Sequence, residues 1–520
     1  MSRIEYSYLR RLMKTPSQDL FLLIQSMSKT EKRYFKKFSE LHGKEDNKYL
    51  MLFDAMAKQK TFDEEAIKKQ FRGEAFLKQF PVAKNYLYSR ILDSLEFYHR
   101  DSSTHSSVRR NIYRAELLQK KGLYDQSMKV LQRARKDAGD LDLFHALLEI
   151  QTQWEFNALL EKYDLPNLEK LIDETAKTSQ LLSDTVICRS MSLQMVNLYN
   201  HYYRSRDKKI LQQADELMKS PYFKKAEEIK TFSGKLRIYE AKFFYWYAKG
   251  NLDAACAEGE KAAQLCLSNP SQMKNNIKLY MVLLSNLFYV RSEQKKYEEA
   301  AKYLGKLEET SSHARNYSLL AKFFYLHDNA MLHYLYHTGK LKELERKIPG
   351  VVSEFETHES ELSNYEKIAL LSNISVSYFY LGNLKQSIHF MNTLRNEYDL
   401  SVNPEAQYFL NIFYLIAHYD SGHHEILPYL VQSFNRFLRK KSYISKVETV
   451  MVDLLKKMPN TDKEKDKNLK DAFAAMKKEI ENIPHDKTHY YIFKYFDIVS
   501  WLESKIYNRS FQEIIKEKAE

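Results

Sequence analysis

The sequence predicts an all-α protein on three observations: turn formers are scarce, the common residues are helix formers, and the glycines fall at even intervals. Gly 12 and Pro 10 make up 4.2 per cent of 520 residues, against roughly 12 per cent in an average chain. Glycine supplies positive φ and proline presets turns, so a chain poor in both has few demanding turns. A Rossmann unit, a barrel or a sandwich needs many more. Leu, Lys and Glu are the commonest residues instead, and they keep their rotamer freedom in a helix.

Residues 1–100 read as an N-terminal helical domain of four to five helices. Ser28-Lys-Thr-Glu31 is a capping box that opens a basic amphipathic helix through Tyr34, Phe35 and Phe38. A second helix starts near Asn47, Asp63 caps a short one through Phe71, and Phe80-Pro81 opens a long one through Tyr98. The polar run Asp101–Ser107 then reads as a linker.

From 107 to 440 a period appears. At Leu371–Leu394 a helix carrying small Ser375 ends at Gly382, and the next begins at once, with Leu384, Ser387, Ile388, Met391 and Leu394 at three-four spacing. This is a helical hairpin with glycine at the left-handed cap. Further turns fall at Gly122, Gly250, Lys295, Gly339 and Gly422, and the later intervals are 45, 44, 43 and 40 residues. The gap from 122 to 250 spans about three such intervals, so two more turns are expected near Asp164 and Asp207, giving about eight hairpins. Residues 441–520 lose the period. They predict helices at Val447–Met458, Leu469–Ile483 and His489–Ile506, the last carrying Tyr490, Phe493, Phe496, Trp501 and Leu502. An array cannot leave its terminal apolar face open, so this tail is expected to be a C-terminal helical cap.

The hairpins resemble the tetratricopeptide repeat family. Leu371, Ile374-Ser375, Tyr378, Gly382, Leu384, Ser387 and Leu394 occupy its motif positions; so do Ala115, Leu118, Gly122, Tyr124, Ser127, Leu131 and Ala134. Phe243, Trp246, Gly250, Leu252, Ala255 and Ala262 form another copy, and Leu284, Leu287-Phe288, Lys295, Tyr297, Ala300, Leu304 and Leu307 a fourth. The resemblance covers about two thirds of the chain. It departs from the family in its period, about 43 residues instead of 34, and in the bulk of Phe243 and Phe288 where the family has a close-contact glycine. It implies a right-handed solenoid whose first helices line a concave groove. Counted back from the turns, the groove positions are Asn197, His201 and Arg204; Arg237, Glu240, Phe244 and Tyr247; Asn286 and Tyr289; His333 and Tyr336; and Phe379 and Tyr380. In the family, asparagines at such places hold extended peptides or terminal carboxylates, and Asn286 is the closest counterpart.

Lys+Arg 81 against Asp+Glu 68 leaves a formal +13, of which residues 1–100 supply +7 from 20 basic and 13 acidic residues. Lys29, Lys32, Arg33 and Lys36 share one face of the first basic helix, a stripe suited to phosphates. Glu31 and Glu40 interrupt it, and no aromatic platform stands beside it in sequence. The alternative role as a solvated face of a packed helix competes with that reading. Three cysteines, Cys188, Cys256 and Cys266, make no disulfide framework and lack metal-ligand spacing. No apolar run approaches a membrane span and no signal peptide is apparent, so a cytoplasmic protein without membrane insertion is expected.

Catalytic signatures are missing: no His-Glu-x-x-His, no phosphate-cradling glycine loop, no CxxC pair, no nucleophile elbow. His333/His337 and His485/His489 stand one turn apart but lack a third ligand, and His423-His424 sits in a turn. The expectation is a non-enzymatic scaffold without metal or cofactor, binding a protein or peptide in the groove, its arginines selecting an acidic partner. The alternative is a nucleic-acid-associated regulatory protein acting through the basic N-terminal domain. Nothing in the sequence decides the oligomeric state.

Overall fold

In a computed structural model, the chain is described over residues 16–41, 47–59, 61–100, 103–161, 165–205, 207–314, 317–439, 446–457, 466–482 and 495–519. Among these residues there are helices and no strands. The chain divides into two compact units, Met1–Thr175 and Ala176–Glu520.

The first unit opens with α1 (Pro16–Ser26), α2 (Lys29–Leu41), α3 (Asn47–Lys58), α4 (Glu64–Gln70) and α5 (Phe80–His99). The capping box holds: the Glu31 amide donates to Ser28 Oγ at 3.2 Å, and the Ser28 amide to Glu31 Oε2 at 2.7 Å. Asp63 caps α4 by accepting from the Ala66 amide at 2.9 Å. Leu20, Ile24, Phe35, Phe53, Leu87 and Ile91 are buried together, because each helix presents its apolar stripe inward. A second cluster, with Val108, Ala115, Leu131, Ala134 and Ile150, joins α6 (Thr104–Lys120), α7 (Tyr124–Asp140) and α8 (Phe144–Glu161). The expected linker is shortened, since Ser103 accepts from the Ser106 amide and starts α6 inside it.

The second difference is larger. Where a helix pair was expected between turns near 164 and 207, one 41-residue helix runs, α9 (Leu165–Ser205). The segment contains no glycine, and its one proline, Pro166, stands in the first turn where proline is tolerated, so nothing breaks it. Asp164 lies outside the described residues. Asp207 does end the run, as a cap whose carboxylate accepts from the Lys209 amide at 2.9 Å.

After α10 (Lys208–Met218) the second unit becomes regular: α11 (Phe232–Ala248) with α12 (Leu252–Leu267), α13 (Ile277–Glu293) with α14 (Tyr297–Glu309), α15 (Tyr317–His337) with α16 (Leu341–His358), α17 (Asn364–Tyr380) with α18 (Leu384–Glu397), and α19 (Pro404–Asp420) with α20 (Leu427–Arg439). Short helical turns at Pro221–Lys224 and Pro270–Asn275 lead into α11 and α13. The first helices α13, α15, α17 and α19 pack in series, each also against its own second helix.

The six turns placed at Gly122, Gly250, Lys295, Gly339, Gly382 and Gly422 are left-handed, with φ from 60° at Lys295 to 81° at Gly250. Each closes in the same way. The amide after the left-handed residue reaches back five residues, as Asn251 to Trp246 O at 3.0 Å and Asn383 to Tyr378 O at 2.9 Å. That satisfies carbonyls the helix end would otherwise orphan. A further left-handed turn at Asp142 joins α7 to α8, with φ 55° and no glycine to announce it.

Last come α21 (Lys446–Lys457), α22 (Asp466–Glu481), α23 (Ile498–Tyr507) and α24 (Phe511–Ala519). Phe496 packs against Phe379 and Phe413 at 5.2 Å, and Phe511 against Tyr380 at 4.9 Å. Trp501 is fully buried, its indole N–H donating to Asp420 at 3.2 Å, and Lys505 pairs with the same carboxylate at 2.7 Å. This segment packs on the ends of α17 and α19. Tyr490, Phe493, His485 and His489 lie outside the described residues.

The turns supply a direct test. A Cβ at Gly250 meets no atom within 4 Å, so Gly250→Ala isolates the backbone strain. It is expected to lower stability by about 1 kcal/mol, because an L-residue is strained there. Lys295→Gly relieves the same strain at φ 60° and is expected to hold or raise the midpoint. Thermal or urea melts of both full-length variants read the contrast; equal destabilisation by the two would contradict it.

Candidate functional site

The recurrence of one hairpin geometry brings equivalent helix positions onto one wall. Phe244, Tyr289 and His333 each stand six residues before their turn, and all three line a pocket of about 310 Å³ in the second unit. Tyr247 and Asn286 line it too, so five residues expected from the sequence come together. Asn286 stands nine residues before Lys295, Asn373 nine before Gly382, and Asn329 ten before Gly339. All three asparagines face the pocket.

Two of those amides are buried and form a directed chain. Tyr336 Oη donates to Asn373 Oδ1 at 3.0 Å, Asn373 Nδ2 to Asn329 Oδ1 at 2.7 Å, and Asn329 Nδ2 to Tyr289 Oη at 2.8 Å. It crosses α13, α15 and α17, so it ties three hairpins at one level. Burial pushes the Tyr289, Tyr325 and Tyr336 phenols up, which keeps them neutral donors and acceptors. The Asn286 side chain, by contrast, is half-buried and its amide makes no hydrogen bond among the described residues.

Other expected positions fall elsewhere. Tyr336 and Tyr380 are fully buried, not groove-facing: their tilted rings lie 4.9 Å apart, and Tyr380 packs against Phe496 and Phe511. Phe379 is buried beside them. These positions stand two or three residues before the turn, as Tyr247 does. Here, however, neighbouring first helices and, over Phe379 and Tyr380, the C-terminal segment close over them, whereas Tyr247 stays on the pocket wall. On α9 the lining residues are Val196, Tyr199 and Asn200, whereas Asn197 and His201 are exposed and off the wall. The register there was counted from a hairpin that the continuous α9 replaces. The Arg204 side chain is outside the described residues. Arg237 and Glu240 pair with each other at 2.8 Å, and Glu240 also accepts from Ser192, so Arg237 is not an open acid-selecting cation.

Unforeseen pocket residues are Lys322, Tyr325, Asn329, Tyr365, Asn373 and Tyr495. The asparagines were readable, since 286, 329 and 373 repeat at 43 and 44. Tyr495 was not, because the C-terminal segment delivers it from outside the repeat. Lys322 pairs with Glu366, the capping-box carboxylate of α17, so its charge is offset where it stands.

The remaining candidates resolve as follows. Cys188, Cys256 and Cys266 are free and buried; burial pushes their thiols to about 11, about 11 and about 12. They are poor thiolates. His333 and His337 lie 4.4 Å apart with tilted rings within an aromatic cluster, and among the described residues no three metal-ligating side chains converge. No helix among them is long and apolar enough to cross a membrane. In the basic stripe, Lys36 pairs with Asp54 at 2.6 Å and Lys32 is half-buried; burial pulls its ammonium below the usual lysine range. Lys29 and Arg33 remain exposed.

His418, ahead of Gly422, is buried with Nδ1 2.9 Å from His423 Nδ1 and its ring 4.3 Å from Tyr414. Burial, then the His423 and Arg395 charges, push it from 6.5 to about 4. Between those values the unfolded chain binds a proton that the folded chain refuses, so stability is full above pH 6.5 and falls as pH drops toward 4. The loss is on the order of 3 kcal/mol. His418→Phe should flatten the pH dependence of urea midpoints over this window. A second test addresses the amide chain. Asn373→Ala leaves buried partners unpaired and should cost about 1–3 kcal/mol, whereas Asn286→Ala should stay within about 0.5 kcal/mol.

Compared with known proteins, the chain matches no family model, no curated protein and no solved structure.

Proposed function

We propose that the chain is a non-enzymatic binding scaffold of tetratricopeptide-like type, whose first-helix pocket takes an extended segment of a protein partner. One observation carries this reading: the Asn286 amide stands unpartnered on the wall, in register with two asparagines already bonded. An amide offers a donor and an acceptor together, which is what a peptide backbone needs. Around it Phe244, Tyr247, Tyr289 and Tyr365 supply ring area at low entropy cost. About 310 Å³ accommodates one large apolar side chain with adjoining backbone.

The charges nearby are already paired, Lys322 with Glu366 and Arg237 with Glu240. The favoured segment is therefore uncharged at the pocket, a revision of the acidic partner expected from the arginines. Three free, buried thiols fit a reducing, cytoplasmic setting.

Selection of peptides from a random display library on the full-length chain tests this. Selected peptides should share an aromatic or aliphatic anchor between uncharged residues, and Asn286→Ala should weaken them about three- to tenfold. Tyr429→Ala, exposed on α20 and away from the pocket, should leave them unchanged. Wild-type affinity in the Asn286 variant would refute the pocket as the site.

A further inference from the structure

The basic helix α2 has a partner that its own sequence does not show. Phe97 and Tyr98, at the end of α5, pack against it: Tyr98 lies 5.1 Å from Tyr34, and Phe97 lies 5.5 Å from Phe38. Both outer rings stay open to solvent, Phe97 at 50 % and Tyr98 at 40 % exposure. They rest on rings below, and Tyr98 is further braced edge-on by His99 at 4.8 Å. An aromatic platform therefore stands beside the basic stripe after all.

Cations surround it. Arg33 and Lys37 share the exposed face of α2 at four-residue spacing, and neither forms an ion pair among the described residues. The Arg100 guanidinium lies 5.8 Å from the Phe97 ring, and Arg90 lies 5.2 Å from Phe38. Arg110, from α6, reaches the Arg100 carbonyl at 3.3 Å and brings a further positive charge to this end of α5. The setting is basic over a long stretch: residues 1–140 hold 29 Lys and Arg against 18 Asp and Glu, +11 of the chain's formal +13.

We infer that this face of the first unit binds single-stranded nucleic acid, with bases stacking on Phe97 and Tyr98 and phosphates meeting Arg33, Lys37 and Arg100. Stacking explains the open rings, since a base has an apolar face that every sequence shares. A duplex keeps its base faces covered and would use the cations alone. A bilayer surface asks for a continuous apolar face along a helix, whereas exposed Ser89 and Asp93 interrupt that face of α5 between Tyr86 and Phe97. Glu31 is turned to His99 at 2.6 Å and to the cap of α2. The carboxylates left exposed on these two helices beside the rings are Glu40 on α2 and Asp93 and Glu96 on α5.

Fluorescence anisotropy of the full-length chain with a labelled oligothymidylate of about 20 nucleotides tests the inference. Binding should weaken steeply with salt, and the same-length duplex and phosphatidylserine vesicles should bind at least tenfold more weakly. Phe97→Ala with Tyr98→Ala should lower affinity at least tenfold, while Phe97→Tyr with Tyr98→Phe stays within about threefold. Arg33→Gln with Lys37→Gln should reduce the salt slope by about 1 to 1.5. Unchanged circular dichroism separates these losses from unfolding. The inference fails if the strand does not bind at low salt, if duplex or vesicles bind as tightly, or if the alanine pair binds like wild type.

Discussion

The left-handed turn is the constraint on which the second unit depends. A residue with positive φ ends each first helix at a fixed rotation, and the amide beyond it returns to a carbonyl five residues back. Because five successive hairpins in this unit close identically, a position counted from the turn faces the same way in each. That is why Phe244, Tyr289 and His333 share one wall, and why asparagines spaced 43 and 44 apart come close enough for two of them to bond. Turn chemistry, a local property, thereby sets the geometry of a pocket built from residues more than a hundred apart.

The same reasoning accounts for what was legible in the sequence. Positive φ is strained for L-residues, so most left-handed turns carry glycine, and glycine is rare enough here to serve as a ruler. The Lys295 turn carries no glycine but is legible from the motif residues around it, Leu284 to Leu307, and from the even interval, whereas Asp142 has neither signal. The α9 region shows the opposite failure. Extrapolating the period imposed a break on a segment that contains no residue able to make one, and the helix runs through.

Burial was less legible than turns. Tyrosines stand at Tyr289, Tyr336 and Tyr380, yet Tyr289 lines the pocket while the other two lie in the core. What decides between these fates is the neighbour: Phe496 and Phe511 arrive more than a hundred residues later to cover Tyr380. Helical periodicity says which face a side chain is on, but not what comes to rest against it. The aromatic floor beneath the basic helix was hidden for the same reason, since Phe97 and Tyr98 lie about sixty residues beyond Tyr34 and Phe38.

The two candidate surfaces differ in how they treat charge, and the difference bears on what each selects. Around the pocket, Lys322, Arg237 and the Tyr247 hydroxyl all meet carboxylates of the chain itself, Glu366, Glu240 and Glu293. Discrimination there must come from shape and from the direction of hydrogen bonds. A site built to bond an amide rejects a group that cannot bond it, because its own polar groups are then left unpaired. The chain through Tyr336, Asn373, Asn329 and Tyr289 strengthens this by holding the neighbouring amides in one orientation. On α2, in contrast, Arg33 and Lys37 form no ion pair among the described residues, and their attraction is long-ranged, screened by salt and indifferent to sequence. Selectivity on that face has to come from the open rings, which meet only bases that are free of a duplex.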